Sequence, residues 1–155
     1  MPDATHDFDF LFGRWTVRNA RLRERLVGST TWDEFDATHE CRPMLGGIGN
    51  VDEMTTTWGG GFIGMSVRLF DLGERRWTIY WASNRTCALE PPVHGRFVDG
   101  VGTFEGDDEH AGRSVLARFV WSAITPTTAH WEQAFSTDEG RTWEANWRMS
   151  FARRS

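Results

Sequence analysis

The sequence predicts an all-β fold: an antiparallel up-and-down barrel of about ten strands with a short N-terminal helix. From Trp15 onward, apolar and polar residues alternate with a period of two, which is typical of strands with one buried face. Segments rich in Gly, Pro and Asp interrupt the alternation at roughly the 8–12 residue spacing of all-β domains. Because the strands are joined by short turns, and closure removes exposed edges, the pattern favours a barrel over a sandwich.

The segment 3–13 is the best candidate for a helix. Phe8, Leu11 and Phe12 recur at helical spacing, and Gly13 suits a helix end. Because the segment is short, we expect one or two turns that plug one end of the barrel.

The strands are predicted from apolar rows that end at turn-forming residues. The first begins at Trp15, and the others cover the segments 31–42, 47–57, 65–70, 77–81, 93–97, 101–106, 115–121, 131–135 and 143–151. Acidic residues and glycines at 107–112 predict a turn, and so does the segment 137–140. The last hairpin, 129–151, gives the clearest signal because two alternating arms flank a turn that contains Gly140.

Composition limits the classes of function. The chain has 155 residues and a net charge of −5, and all of its 17 basic residues are Arg. The length predicts a single domain, 1–155. The lack of Lys excludes Schiff-base chemistry, and the acidic balance without a basic run predicts that nucleic acid is not a partner. The nine Trp and eleven Phe exceed what a small core needs, which indicates a cavity wall, a subunit interface or both.

The sequence also predicts the location of the protein. The segment 1–10 lacks a basic and apolar signal peptide, and no run approaches the roughly 18 apolar residues that span a bilayer. We therefore expect a soluble, cytoplasmic protein with no membrane partner. In that setting Cys41 and Cys87 are expected to be free thiols.

Five passages of the chain together suggest a relationship to known proteins: DFDFLFGRW, RPMLGGIGNVDE, LFDLGERRWTIYWAS, PPVHGRF and WEQAFSTDEGRTWEANW. They resemble an uncharacterised bacterial family, the DUF1579-like proteins, with a lipocalin-like (calycin) β-barrel. The run Phe12-Gly13-Arg14-Trp15 is similar to the Gly-x-Trp start of the first strand in calycin barrels. The resemblance implies a calycin fold with Trp15 on the barrel floor, and it brings no catalytic residues.

No cofactor and no metal are expected. Haem-binding barrels of the nitrobindin-like type, which this chain resembles in its strand number, take their iron ligand from a late His, and here no His follows His130. His39 and Cys41 share a strand face, but a zinc site needs three or four ligands and no second pair is present. The pattern Ser136-x-Asp138-x-Gly140-x-x-Trp143 resembles an Asp-box hairpin, which we interpret as a structural turn.

The candidate ligand-binding site consists of polar residues in register with apolar rows and of the aromatic residues beside them. The polar candidates are His39, Glu53 and Gln133, and the wall candidates are Met65, Trp81, Trp131 and Trp147. A register one residue off instead turns other polar residues inward, namely Asp52, Arg68, Arg118, Glu132 and Asn146. The first register is preferred because it keeps more aromatic rings inside.

Three functions remain open. The leading hypothesis is that the barrel binds a small, largely apolar molecule. The second is a cofactor-free isomerase, cyclase or hydrolase in which Glu53 and His39 act as an acid–base pair. Burial raises the pKa of a carboxyl group toward neutral pH, as a general acid or base requires. In both, pairing of polar side chains with one another is the structural alternative. The third is a homodimeric module with an aromatic interface.

Overall fold

A computed structural model describes residues 3–155 and confirms the all-β barrel. Its ten strands are β1 Gly13–Leu22, β2 Trp32–Met44, β3 Gly49–Thr56, β4 Phe62–Asp71, β5 Arg76–Ser83, β6 Val93–Val98, β7 Val101–His110, β8 Arg113–Ser122, β9 Thr128–Ser136 and β10 Glu144–Arg153. Each strand pairs antiparallel with its neighbours in sequence, and β1 pairs with β10 to close the barrel. Val17 lies opposite Phe151 in this closing ladder.

The N-terminal segment plugs one end of the barrel, as the sequence predicts. It forms two short 3₁₀ turns, Ala4–His6 and Asp9–Leu11. Phe8 and Leu11 are buried. The indole nitrogen of Trp15 donates a hydrogen bond to the carbonyl of Leu11 at 2.8 Å, which ties the plug to β1. This end of the barrel is therefore closed.

Arg153 fastens the plug to the last strand. Its Nη1 and Nη2 atoms each donate to a plug carbonyl at 2.6 Å, those of Phe12 and Phe10. Its guanidinium carbon also lies 4.1 Å from the ring centroid of Trp15. The two ends of the described chain thus meet at the closed end of the barrel.

The predicted strand faces are correct for β2, β8 and β9, correct for β10 from Trp147 onward, and wrong for β3 and β4. In β3 and β4 the buried rows contain Asp52 and Arg68, whereas Glu53 is exposed and Met65 lies on the outer, half-buried face. The error has a physical cause. The sequence interpretation placed the more apolar row inside, but Asp52 and Arg68 neutralise each other, so the barrel buries the charged row instead.

The alternative register is not correct as a whole either. Arg118 faces outward, with its guanidinium 4.1 Å from the ring of Trp143, and Glu132 pairs on the outer face with Arg148 at 2.9 Å. Asn146 is buried at a register shift between Ala145 and Trp147. The two registers therefore apply to different strands of the same barrel.

Two smaller predictions can be compared with the structure. The turn expected at 107–112 is wrong in its first part, because β7 continues to His110. Cys41 and Cys87 are free thiols, as expected. Within residues 3–155, no helix has the length and apolar character needed to cross a bilayer.

Candidate functional site

The barrel encloses a cavity of about 220 Å³. Five of the seven predicted site residues line it: His39, Trp81, Trp131, Gln133 and Trp147. The other two, Glu53 and Met65, lie on the outer face and do not contribute to it. The premise of the predicted acid–base pair, a carboxyl group at position 53 inside the barrel, is therefore wrong.

Tryptophan rings form the cavity walls. Trp147 packs edge-to-face against Trp131, with ring centroids 5.9 Å apart, and against Trp81 at 6.1 Å. Phe119 packs on Trp131 at 5.1 Å. The indole nitrogen of Trp147 donates to the Oδ1 atom of Asn19 at 2.9 Å, which fixes the orientation of the ring. Because these side chains hold one another in place, the cavity has preformed apolar walls.

Gln133 lies among these rings, but its amide is already engaged. Its Nε2 atom donates to the Oδ1 atom of Asn146 at 2.8 Å. Asn146 is buried at the register shift of β10. Gln133 therefore supports the wall and leaves one amide oxygen for a ligand.

A buried polar cluster lies at the closed end of the cavity, next to the plug. Asp52 Oδ2 is 2.6 Å from Arg68 Nη2 and 3.0 Å from His39 Nε2. The other oxygen, Oδ1, accepts a hydrogen bond from the backbone amide of Ser66 at 3.0 Å. Arg68 Nη1 donates to Asn50 Oδ1 at 2.9 Å. We call Asp52, Arg68 and His39 the polar triad.

The triad keeps Asp52 ionised. Burial alone would raise the pKa of Asp52, but the Arg68 guanidinium and then the His39 imidazole lower it, and the net result is a pKa well below its usual range. The side chains of all three are at least nine-tenths buried. The cluster therefore contains a fixed negative and a fixed positive charge that offset each other.

Cys41 lies beside the triad, and its thiol is expected to be unreactive. Its Sγ atom is 3.6 Å from Asn50 Oδ1. Burial raises the pKa of the Cys41 thiol to about 12, so the thiolate required of a nucleophile or a soft metal ligand is disfavoured at neutral pH. No group of three or more His, Cys, Asp or Glu side chains among residues 3–155 has an arrangement that could hold a metal ion.

Four buried nitrogen atoms at the closed end have no hydrogen-bond partner among the described residues: Asn50 Nδ2, His39 Nδ1, Arg68 Nε and Trp121 Nε1. Asn50 does not line the cavity, whereas His39, Arg68 and Trp121 do. The His39 and Trp121 rings each pack on Phe151 with centroids 5.1 Å apart, and the guanidinium of Arg68 lies 5.9 Å from the Trp121 ring. Because an unpaired buried polar atom costs free energy, the closed end favours a ligand that supplies partners.

Arginines stand at the opposite end of the cavity, its mouth. The guanidinium of Arg21 lies between Trp58 and Trp147, at 5.3 and 5.1 Å from their ring centroids. Arg25 stacks on Phe135 at 5.4 Å, and its Nε and Nη2 atoms are buried without a described partner. Burial lowers the pKa of Arg25 to about 10, and the charge of Arg21 acts in the same direction.

Acidic residues face these arginines across the mouth. Glu90 and Asp108 line the cavity there, with Glu109 beside them. Burial, followed by the Asp108 carboxylate, raises the pKa of Glu90, while Arg25 opposes the shift. The mouth therefore combines both signs of charge and gives no simple electrostatic preference for an anion or a cation.

The structure identifies cavity residues that the sequence interpretation missed. Asp52 and Arg68 appear in the sequence only as members of the less favoured register, and Trp121 appears only as part of an apolar row. Arg21 continues the inward row of Trp15 and Val17 in β1, a signal that the sequence interpretation did not follow that far. Arg25 carries no such signal, because β1 ends at Leu22 and the following loop has no periodic pattern.

Comparison with known proteins supports the fold alone. No family model matches the chain, so the DUF1579-like resemblance stays a prediction, and no curated protein matches it either. Among solved structures, the chain is similar to the S-type phycobiliprotein lyase CPES from Guillardia theta, with a TM-score of 0.62 and 11% sequence identity. The match covers 96% of this chain and 90% of that chain.

Proposed function

We propose that this barrel binds a small, largely apolar aromatic molecule in its central cavity. The observation that carries the proposal is the cavity itself, which has tryptophan walls and buried polar groups at one closed end. An apolar cavity of roughly 150 Å³ holds benzene. A cavity of about 220 Å³ is therefore matched to a molecule of one or two rings.

Filling the cavity tests this proposal. Ala117 lines the cavity, and Ala117→Leu reduces its volume without removing a wall residue. Ala152→Leu introduces the same change on the exposed outer face of β10 and is the matched control. Binding of naphthalene, indole and benzene is followed by quenching of Trp fluorescence and by the shift in Tm.

We expect saturable binding to the wild type and to A152L, and binding at least tenfold weaker to A117L, where steric overlap excludes the ring. Absence of binding to the wild type by all three probes contradicts the proposal. Equal affinities in A117L and the wild type would place any binding outside the cavity.

A second candidate is acid–base catalysis in the same cavity, with Asp52 in place of Glu53. The observation that favours it is the 3.0 Å contact between His39 Nε2 and Asp52 Oδ2. An ionised carboxylate only accepts hydrogen bonds, so Nε2 carries a hydrogen, and the neutral form of His39 has an unprotonated Nδ1 atom. A carboxylate that holds an imidazole in one tautomer is the arrangement that a general base requires.

Mass spectrometry of a metabolite extract tests this candidate. The extract is incubated with wild-type protein, with His39→Gln and with the outer-face control His130→Gln. The catalytic hypothesis predicts a mass conversion with the wild type and H130Q and its loss with H39Q. Conversion that persists in H39Q excludes His39 as the base.

The aromatic-interface hypothesis stays a prediction, with less support from the tryptophan side chains than their number suggests. Each of the nine Trp is buried or half-buried, since the rings fill the barrel interior or pack on its outer side chains. The tryptophan count therefore does not require a homodimer. Analytical ultracentrifugation at micromolar concentration is expected to give a monomer, and a dimer would support the hypothesis.

A further inference from the structure

We propose that the ligand is a neutral hydroxyaromatic molecule, such as a phenol or naphthol, whose hydroxyl group lies at the closed end of the cavity among His39, Arg68 and Trp121. This inference rests on the proposed binding function and adds the chemical class of the ligand.

The unpaired polar atoms at the closed end complement a hydroxyl group. Trp121 Nε1 and Arg68 Nε are N–H groups that can only donate. His39 Nε2 donates to Asp52 Oδ2 on the far side of the ring, at 3.0 Å. Because Arg68 already supplies the positive charge that balances Asp52, a neutral imidazole keeps the buried cluster uncharged, and in that form Nδ1 is an acceptor. The cavity-lining residues thus offer two donors and one acceptor. A hydroxyl group has the complementary set, with one O–H donor and two acceptor lone pairs.

The closed end carries a balanced pair of charges. The positive charge of Arg68 is offset by Asp52 at 2.6 Å, so the triad with neutral His39 has no net charge. A ligand carboxylate would have no hydrogen to give His39 Nδ1 and would lie beside the ionised Asp52. A ligand ammonium would meet the Arg68 guanidinium and two N–H donors. The closed end therefore favours a neutral group over either ion.

The aromatic walls of the cavity suit a flat ring. The walls beyond the closed end are the edges and faces of Trp131, Trp147 and Trp81. Edge-to-face contacts between aromatic rings add stabilisation beyond the burial of apolar area. A flat aromatic ring uses these walls better than an aliphatic chain does. The hydroxyl group and the ring together define the class.

A series of ligands with the same ring system provides the test. Binding of 2-naphthol, naphthalene, 2-methoxynaphthalene and 2-naphthoate to the wild-type protein is measured by isothermal titration calorimetry at pH 7. We expect 2-naphthol to bind about tenfold or more tightly than naphthalene, because it pairs buried atoms that naphthalene leaves unpaired. The methoxy compound lacks the donor and should not gain over naphthalene.

Two variants that keep an aromatic ring assign the effect to the named atoms. His39→Phe removes the acceptor and Trp121→Phe removes one donor. Each is expected to bring the affinities for 2-naphthol and naphthalene within about threefold of each other, and this ratio is the readout whatever the change in overall affinity. The control His130→Phe, on the outer face of β9, should keep the full preference.

The outcomes separate this inference from the function on which it rests. Equal binding of 2-naphthol, naphthalene and 2-methoxynaphthalene overturns the inference and leaves the binding function standing. If 2-naphthoate binds more tightly than 2-naphthol, the hydroxyl inference is overturned in favour of anion recognition by Arg21 and Arg25 at the mouth. Absence of binding by the whole series contradicts the binding function itself.

Discussion

The indole ring of Trp81 lies directly over Gly64 of the neighbouring strand. A Cβ atom at position 64 would overlap three carbon atoms of the ring. Trp81 in turn contacts Trp147 across the cavity, with ring centroids 6.1 Å apart. The absence of a side chain at residue 64 therefore makes room for one wall of the cavity.

Substitution of Gly64 by Ala is expected to displace Trp81. Because overpacking of a filled interior typically costs about 1–3 kcal/mol, we expect G64A to lower the free energy of unfolding by that amount. Urea denaturation and the Trp emission maximum measure the change. Gly73→Ala, in an exposed turn where the added atom meets only ordinary contacts, is the control. Stability of G64A equal to the wild type would show that the ring has room to move.

Replacement of Arg68 by Met should be severely destabilising. It removes the guanidinium that neutralises Asp52 at 2.6 Å, and loss of one partner of a buried ion pair costs about 3–5 kcal/mol. The double variant D52N/R68M should be more stable than R68M alone, because it no longer buries an uncompensated carboxylate. Chemical denaturation of the four proteins forms a double-mutant cycle.

The exposed pair Glu132–Arg148 is the natural comparison for that cycle. Its 2.9 Å contact lies on the outer face, and exposed ion pairs contribute only about 0–1 kcal/mol. The coupling energy of Asp52 with Arg68 should therefore exceed that of Glu132 with Arg148. Equal coupling energies would contradict the assigned role of the triad.

Asp52 should also make stability depend on acid pH. Its pKa is lowered in the folded state, so its contribution is complete above the unfolded value of about 4 and is lost as the pH falls toward the folded value. Wild-type stability should therefore fall below about pH 4 more steeply than that of D52N. Thermal unfolding between pH 3 and pH 7 measures both curves. Parallel curves would mean that Asp52 is not ionised in the fold.

The two thiols should differ sharply in reactivity. Cys41 is buried with a pKa raised to about 12, whereas Cys87 is exposed. Titration with Ellman's reagent at pH 8 is expected to detect one thiol in the native protein and two in guanidinium chloride. The native signal should vanish in Cys87→Ser. A fast native reaction of Cys41 would show that the closed end opens.

Alternation and turn residues were sufficient to predict the barrel, because each strand carries its own signal. The alternation predicts Trp131 and Trp147 on the cavity wall, and the row of Trp147 keeps its face through Met149 and Phe151. It does not predict the register shift between Ala145 and Trp147. The short N-terminal plug was predicted in the same manner, from the spacing of Phe8 and Leu11.

Local sequence patterns do not predict the polar triad. Whether Asp52 is buried depends on Arg68, which belongs to another strand, and a single sequence does not show which charges meet. Val51 lies on the outer row of β3, and its apolar side chain favours the prediction that this row faces inward. Because Glu53 belongs to the same row, the prediction places it inside as well. Arg25 at the mouth was missed for a related reason: its position depends on a loop that follows no period.

The seam between β1 and β10 must close before the cavity is complete. Val17 and Phe151 pair across this seam although they stand at opposite ends of the sequence, and such non-local contacts form late and slowly. Trp147 and Met149 reach the cavity only when β10 docks. A compound that binds only the closed cavity should therefore stabilise the closed seam, and with it the folded state.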